Sequence, residues 1–433
     1  MNDPLRCEED GQEGVEQRRY PGMGAAPDGT GAASDGPSRG TGAASDGPSR
    51  GTGASLSAPL VSRVIDTMTS RRLTGPDTPV LLMVSGGSDS TALAYIAATL
   101  ADAGALGPCA LLHVHHHMRG AEADGDAQFA EALAELLGFP FFRCDIDVPQ
   151  LAAEGHGNQE AVARRERYAA AQEALASFCR RLAVPVSEGR ILTAHTADDR
   201  IENFYMRSIV GTGPGGFRSM RYRNGLVARP LLDLSRQQLR GYLEERVRTG
   251  RPVARDEAGA LWREDATNAH TDRFRAYVRH KMVPAAREWN PRLGEVMVRT
   301  MNQIADEDDM LEAMARKIAE RCVEPLGEEP PAAVAAAVGV PVQERAFLLK
   351  PAFGEEPRPL QKRVLYQLLR EMLPAEARVQ SVSIDAVLAA FGLDGAPISG
   401  YVDNIQGNIA VSANKKGVRL EPMAVFRARR KRG

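Results

Sequence analysis

The stretch Val80-Leu81-Leu82-Met83-Val84-Ser85-Gly86-Gly87-Ser88-Asp89-Ser90-Thr91 is an unbroken apolar run that gives way to glycine and serine, with helix-forming sequence continuing through Leu100. An apolar run of that length ending at a Gly/Ser turn predicts a buried strand, a tight loop, and a helix opening near Thr91. Small residues let a backbone close around an anion. The serine hydroxyls can donate to its oxygens, and free amides at a helix start add the positive end of the helix dipole. The loop therefore predicts a phosphate cradle. Its spacing excludes the Walker-type loop, because no lysine follows the second glycine, and GxGxxG is not matched either. At the start of that helix, Asp89 is placed either to cap it or to face the bound group.

The runs Ala110 to Val114, Phe139 to Ile146 and Arg190 to Ala194 read as further strands, separated by helical segments such as Ala127 to Leu137. Such alternation predicts a Rossmann-like α/β domain, a parallel sheet wrapped by helices with ligands at the carboxyl ends of its strands. Beyond residue 300 the pattern is mainly helical (Met310 to Cys322, Gln361 to Met372, Ser383 to Phe391). It closes with alternating Tyr401 to Val411 and Val418 to Leu420, a smaller helical domain with a terminal hairpin. The expected divisions are a low-complexity arm at 1–56, the α/β domain at 57–235, a basic connecting segment at 236–300, the helical domain at 301–422 and a basic tail at 423–433.

Composition narrows the class. The 433 residues carry 54 Lys plus Arg against 56 Asp plus Glu, a net charge of -2, so attraction to a polyanion has to be local. Residues 201 to 300 hold 19 basic and 11 acidic side chains, which makes them the candidate polyanion surface. GTGAASDGPSR stands twice in tandem from Gly29 to Arg50, in an arm whose one aromatic up to residue 55 is Tyr20. Burial there cannot offset the entropy of ordering, which predicts disorder. The acidic start lacks the features of a signal peptide, and no apolar run reaches the roughly 18 residues of a membrane helix, so a cytoplasmic protein without membrane contact is expected. Five cysteines, none in a CxxC pair, exclude such a pair as a redox or zinc motif.

The six residues Ser85 to Ser90 resemble the SGGxDS loop of the N-type ATP pyrophosphatases, and further blocks resemble one family among them. These are His113-Val114-His115-His116-His117-Met118-Arg119 with Asp126 and Phe129; ExxARxxRY at Glu160, Ala163, Arg164, Arg167 and Tyr168; and Thr193 to Asp199 with Glu202. They continue through Gly211-Thr212-Gly213, Gly216, Arg229-Pro230-Leu231-Leu232 and Arg236, then Trp262, Asp265, Asn268, Arg275, Arg279 and Pro284. In order and spacing they are similar to tRNA(Ile)-lysidine synthetase, from about residue 78 to 290 and more weakly over Arg363 to Leu420. The pattern departs from the family's at Thr196, Arg200, Asn203, Val210, His270 and Ala276, and an extension past the first hairpin, found in the longest members, is expected to be absent.

The resemblance implies ATP-dependent attachment of L-lysine to the wobble cytidine of a tRNA(Ile) with a CAU anticodon, through an adenylated cytidine, with ATP and Mg2+ as cofactors. It implies that Ser85, Gly86, Gly87, Ser88, Asp89 and Ser90 hold pyrophosphate, Asp89 with the metal, while His115 and His116 lie beside the nucleotide. Glu160, Arg164, Asp89 and Asp199 become the catalytic candidates, with Glu160, Asp199 and Glu202 for lysine and Arg229, Arg236, Arg275 and Arg279 for tRNA. Bland readings stand beside these. Glu160 and Arg164 suit an i,i+4 ion pair, Asp198 or Asp199 a helix cap, and the arginines a solvated face. The histidines lack a Cys or carboxylate set at ligand spacing, which disfavours a metal cluster. A non-catalytic tRNA-binding PP-loop protein or another PP-loop tRNA-modifying enzyme remain the alternatives, and a homodimer stays open.

Overall fold

The computed structural model describes residues 58–117, 120–155, 159–264, 274–326, 345–374 and 377–431. The repeat arm, Met118 and Arg119, Asp265, Asn268, His270, most of the Pro-rich stretch after Pro325, and Arg432 lie outside the described residues. Contacts divide the chain into two units, with the boundary between Asn302 and Gln303.

In the first unit, α1 (Pro59–Ser70) has proline in its first turn and buries Val61, Val64 and Met68, one stripe of an amphipathic helix. Then follow β1 (Val80–Met83), α2 (Ser88–Asp102), β2 (Cys109–His115), α3 (Ala121–Leu137), β3 (Phe141–Asp145), α4 (Val148–Gly155), α5 (Gln159–Arg181), β4 (Arg190–Leu192) and α6 (Ala197–Val210). A short antiparallel pair, β5 (Arg223–Asn224) and β6 (Val227–Ala228), leads to α7 (Arg236–Arg248). Strand order is β3-β2-β1-β4-β6-β5, parallel apart from β5.

Each apolar run read from the sequence is one of these strands, and the parallel α/β expectation is met. The helix after the loop starts at Ser88, three residues before Thr91, because the loop's own serines occupy its first turn. Side chains alternate across the sheet. Val80 and Leu82 join a core with α2, α3 and α7, whereas Leu81, Ala110 and Leu112 pack with α5 on the other face. The chain winds from β1 outward to β3 and then returns to β4 on β1's other side. That reversal is a topological switch point, which opens a crevice at the carboxyl ends of β1 and β4.

Helices α8 (Phe274–Tyr277) and α9 (Val283–Trp289) flank a π-helical turn, Val278–Met282. The following helix α10 (Leu293–Cys322) carries the unit boundary.

The second unit contains the expected hairpin, within a larger sheet. Strands β7 (Val323–Pro325), β8 (Phe347–Leu349), β9 (Val402–Ile405), β10 (Ile409–Asn414) and β11 (Gly417–Pro422) form an antiparallel sheet of order β7-β8-β11-β10-β9. The alternating stretch read at Tyr401 to Val411 is two strands parted by Gln406–Asn408, where Gly407 takes φ +75°. Helices Arg358–Met372 and Ser381–Ala389 complete that unit, and the residues read as a basic tail form a helix, Met423–Lys431.

Candidate active site

The loop at the end of β1 is held by its own hydroxyls. Val84 donates its amide to the Leu112 carbonyl (2.8 Å), continuing the strand pairing to the loop's edge. Ser90 Oγ accepts from the Ser85 amide (3.2 Å) and donates to the Gly87 carbonyl (3.0 Å), tying the loop's two ends together. Gly87 is the N-cap of α2 and supplies no side-chain cap, so the first amides of a well-buried helix remain available to an anion. Gly86 takes φ +87°, a conformation that suits glycine.

Around this cradle lies a cluster of alternating charge. Asp89, in the first turn of α2, accepts from Arg236 Nε (3.1 Å), and Arg236 Nη2 lies 3.6 Å from Asp199. Arg275 bridges Asp199 (3.1 Å) and Glu202 (3.0 Å), while Arg279 meets Glu202 through Nε (2.6 Å) and Nη2 (3.0 Å). Asp198 accepts from the Arg236 amide (2.7 Å) and from Arg287 (2.6 Å). Asp199 and Glu202 share a face of α6 because they are three residues apart. The other Asp199 oxygen accepts from the Thr196 amide (2.9 Å), so this residue caps the helix and serves the cluster together.

The environment drives the two aspartates apart. Burial raises the Asp89 carboxyl above the ordinary aspartate range, and neighbouring Asp199 adds to this against the pull of Arg236. Burial would also raise Asp199, but Arg275, His195, Arg236 and the Thr196 amide outweigh it and hold the group at about 2. His195, with Nδ1 2.9 Å from Thr193 Oγ1, is driven down to about 3 by burial, against the pull of Asp199 and with the nearby charges of Arg229, Arg275 and Arg164 adding to the shift.

Neutral in the fold yet protonated in the unfolded chain below about pH 6.5, His195 makes folding stability rise with pH between about 3 and 6.5 and fall on acidification. Going from pH 7 to pH 5 is expected to cost about 2 kcal/mol through this one group. The difference in unfolding free energy between the two pH values, measured by urea denaturation, should shrink by that amount in His195→Asn; an unchanged difference would show that His195 titrates normally.

His116 Nε2 accepts from Arg167 Nε (3.3 Å), joining the end of β2 to the ExxARxxRY block on α5. On that helix Glu160 is exposed in the first turn, and Arg164 stacks over Tyr168 (5.3 Å). His115 faces Asp124, Asp145 and His117. Arg229 is buried and donates to the Arg221 carbonyl (3.0 Å). Thus Arg236, Arg275 and Arg279 are drawn onto the acids rather than left on a solvated face.

Two functional candidates escaped the sequence reading. Arg240 Nε lies 3.4 Å from Ser88 Oγ and its guanidinium covers Trp262 (5.3 Å); its i+4 spacing from Arg236 was the available signal. Arg263 donates its amide to the Gly86 carbonyl (2.9 Å) and its side chain to Asp126 (3.0 Å), strapping residues 262–264 across the loop. Among the departures, Arg200 is fully buried and meets Asn302 (2.8 Å), Asp233 (3.2 Å) and Tyr222 (3.3 Å), which anchors α6 from behind. Tyr222 also donates to Asp233 (2.7 Å), and Asn203 donates to the Ser219 carbonyl (3.4 Å).

A parallel α/β sheet with a serine-glycine loop at its switch point, an uncapped helix start and acids behind it defines a nucleotide-phosphate-binding protein. Residues 61–286, more than half of the chain, match the PP-loop domain, and the chain belongs to that family. Membership implies ATP binding.

A tRNA(Ile)-lysidine synthase from Thermus thermophilus is 37% identical over 240 residues, covering 55% of this chain and 42% of that protein. One from Parabacteroides distasonis is 33% identical over 234 residues, covering 54% and 48%. The chain thus spans less than half the length of these relatives. Among solved structures, a U34-tRNA thiolase from Methanococcus maripaludis aligns with TM-score 0.42 and 14% identity, over 57% of this chain and 79% of that one. No helix among the described residues is long and apolar enough to cross a membrane.

Proposed function

We propose that this chain joins L-lysine to the wobble cytidine of CAU-anticodon tRNA(Ile), using ATP to adenylate the cytidine first. The single observation that carries the reading is the Ser85–Ser90 cradle with its acid-arginine cluster, in a chain whose 30–37% identical relatives are tRNA(Ile)-lysidine synthases. Neutral cytosine is a poor electrophile at its carbonyl carbon. Transfer of AMP to the carbonyl oxygen, with pyrophosphate leaving, turns that oxygen into a leaving group that the lysine ε-amine displaces as AMP. The protein's share is positioning and charge stabilisation.

In this reading Ser85 through Ser90 hold the pyrophosphate, His115 and His116 border the nucleotide, and Asp199 and Glu202 receive an ammonium of lysine in place of a guanidinium. Glu160 and Arg164 complete the lysine and nucleotide site, and the basic 236–300 stretch carries the tRNA backbone. Arg236, Arg275 and Arg279 are held on Asp89, Asp199 and Glu202, and Arg229 is buried on the Arg221 carbonyl, so none of these four presents a free charge to RNA until those contacts open. Asp89, a hard oxygen donor beside the cradle, fits Mg2+ and would hold it; that ion supplies neutralisation of the pyrophosphate charge when bound. The absence of a CxxC pair from the whole sequence disfavours a thiolase that depends on one.

Labelled lysine is expected to pass to an unmodified CAU-anticodon tRNA(Ile) with ATP and Mg2+. If tRNA-dependent AMP and pyrophosphate form without label on the RNA, lysine is the wrong nucleophile. No turnover at all points to a tRNA-binding module.

A further inference from the structure

Apart from the phosphate loop, the carboxyl ends of β2 and β3 bring together side chains that the proposed reaction does not use as a set. His115 ends β2, His117 follows two residues on, and Asp145 ends β3 beside them. His117 Nε2 lies 3.3 Å from Asp145 Oδ1 and His115 Nδ1 lies 3.8 Å from the same oxygen, with all three ligand atoms within 4.8 Å of one another. Bonds of about 2.1 Å in a tetrahedral zinc site separate ligand atoms by about 3.4 Å, so little movement would close these three on one ion.

We propose that His115, His117 and Asp145 bind a divalent transition ion of the zinc class, with the fourth position open to solvent. Two imidazoles and a carboxylate suit Zn2+, Co2+ or Ni2+ and discriminate against Mg2+, which prefers oxygen.

The surroundings are those of a supported site. Asp124, in the first turn of α3, sits 3.2 Å from His115 Nε2, a buried nitrogen that has no hydrogen bond in this geometry, and a small turn of that exposed carboxylate would let it take the Nε2 proton and leave Nδ1 to the ion. The His117 amide donates to His115 Nδ1 (3.2 Å), so that nitrogen carries a lone pair rather than the proton, and an ion binding there replaces this hydrogen bond. Arg143 forks onto Asp145 through Nε (3.0 Å) and Nη2 (2.9 Å), fixing the carboxylate plane. His117 holds φ +52°, rare for a residue with a side chain, with its ring centroid 4.2 Å from that of His115. The ligands run from buried to open, with side chains 2%, 26% and 47% exposed for His115, Asp145 and His117, which leaves a path for entry.

The test uses the full chain, stripped by chelator and dialysed, with Co2+ added in the absence of ATP and tRNA. A tetrahedral visible spectrum saturating at one equivalent, and its loss on adding one equivalent of Zn2+, is the expected result. His117→Ala and Asp145→Asn should each weaken Co2+ binding by at least about 100-fold, and Asp124→Asn by about 10-fold. His117→Cys should keep one-equivalent binding and add a thiolate-to-cobalt charge-transfer band, a change that loss of folding cannot imitate. The octahedral spectrum of aqueous cobalt, or equal binding by all variants, overturns the proposal. Because neither nucleotide nor tRNA is present, that outcome leaves the lysine-transfer reading untouched.

Discussion

Glu202→Ala is expected to destabilise the first unit by about 3 kcal/mol and lower its thermal midpoint by about 6–10 °C. The Glu202 side chain is 3% exposed and both its oxygens are taken, one by Arg279 Nε and the other shared by Arg275 Nε and Arg279 Nη2. Removing it leaves two guanidiniums facing a hole, with Asp199 still in reach of both. Breaking one partner of a buried pair costs more than the pair contributes in net stability, because the remaining charge has lost its compensation. The guanidiniums are partly open to water, 39% and 23% exposed, which keeps the figure at the lower end of that range. Glu202→Gln retains the shape and one acceptor and should cost less than half as much. Both tryptophans, Trp262 and Trp289, lie in the first unit, so fluorescence during urea unfolding reports on this change directly. A loss below about 0.5 kcal/mol would mean that the two arginines are satisfied by water and that the cluster does not hold α6 to the 274–282 segment.

Why this cluster escaped the sequence is a matter of separation. Asp89 and Arg236 are 147 residues apart, Glu202 and Arg279 are 77 apart, and Arg263 and Asp126 are 137 apart. Local spacing reports which residues share a helix face, as it did for Asp199 and Glu202, but not what the fold brings against that face.

The sheet was legible for the opposite reason. Fully buried parallel strands are continuous apolar runs, and Val80 to Val84 and Ala110 to Val114 each stand between turn signals, while Phe139 to Ile146, on the sheet's edge, alternates buried and half-buried positions over Phe141–Asp145. In the second unit β7 and β8 have three residues each, too short to carry a period, and β9, exposed at three of its four positions, merged with β10 into the one alternating stretch from Tyr401 to Val411, so the terminal hairpin was readable and the five-stranded sheet around it was not. Asp145 was likewise invisible as a partner of the histidines, since β3 reaches them only through its register with β2.

Gly86→Val is expected to lower ATP-dependent pyrophosphate release by about 10²–10³-fold, the scale on which loss of a preorganised backbone donor slows a reaction. At φ +87° the residue lies in the left-handed region, where a β-branched side chain is a genuine outlier. A Cβ there would also meet Arg263 Cγ at 3.2 Å and the Asp126 backbone at 3.8 Å. The Arg263 amide is bonded to the Gly86 carbonyl, so the strap cannot retreat without giving up that bond, and the loop must yield instead. Rotating Gly86 toward negative φ swings the peptide that follows it, the one carrying the Gly87 amide, just ahead of the α2 amides that face the anion. Because that strain is local and the helix behind it keeps its core contacts, stability should fall by only about 1–3 kcal/mol, well short of unfolding. The two readouts therefore separate: the rate collapses while the fluorescence-detected unfolding midpoint moves modestly. Arg263→Ala, which removes the crowding side chain but keeps the backbone strap, should restore little of the rate, since the φ constraint outlasts the contact. Full recovery in the Gly86→Val, Arg263→Ala double variant would instead place the whole effect in the steric clash, and an undiminished rate in Gly86→Val alone would show that the loop can hold pyrophosphate with this peptide turned.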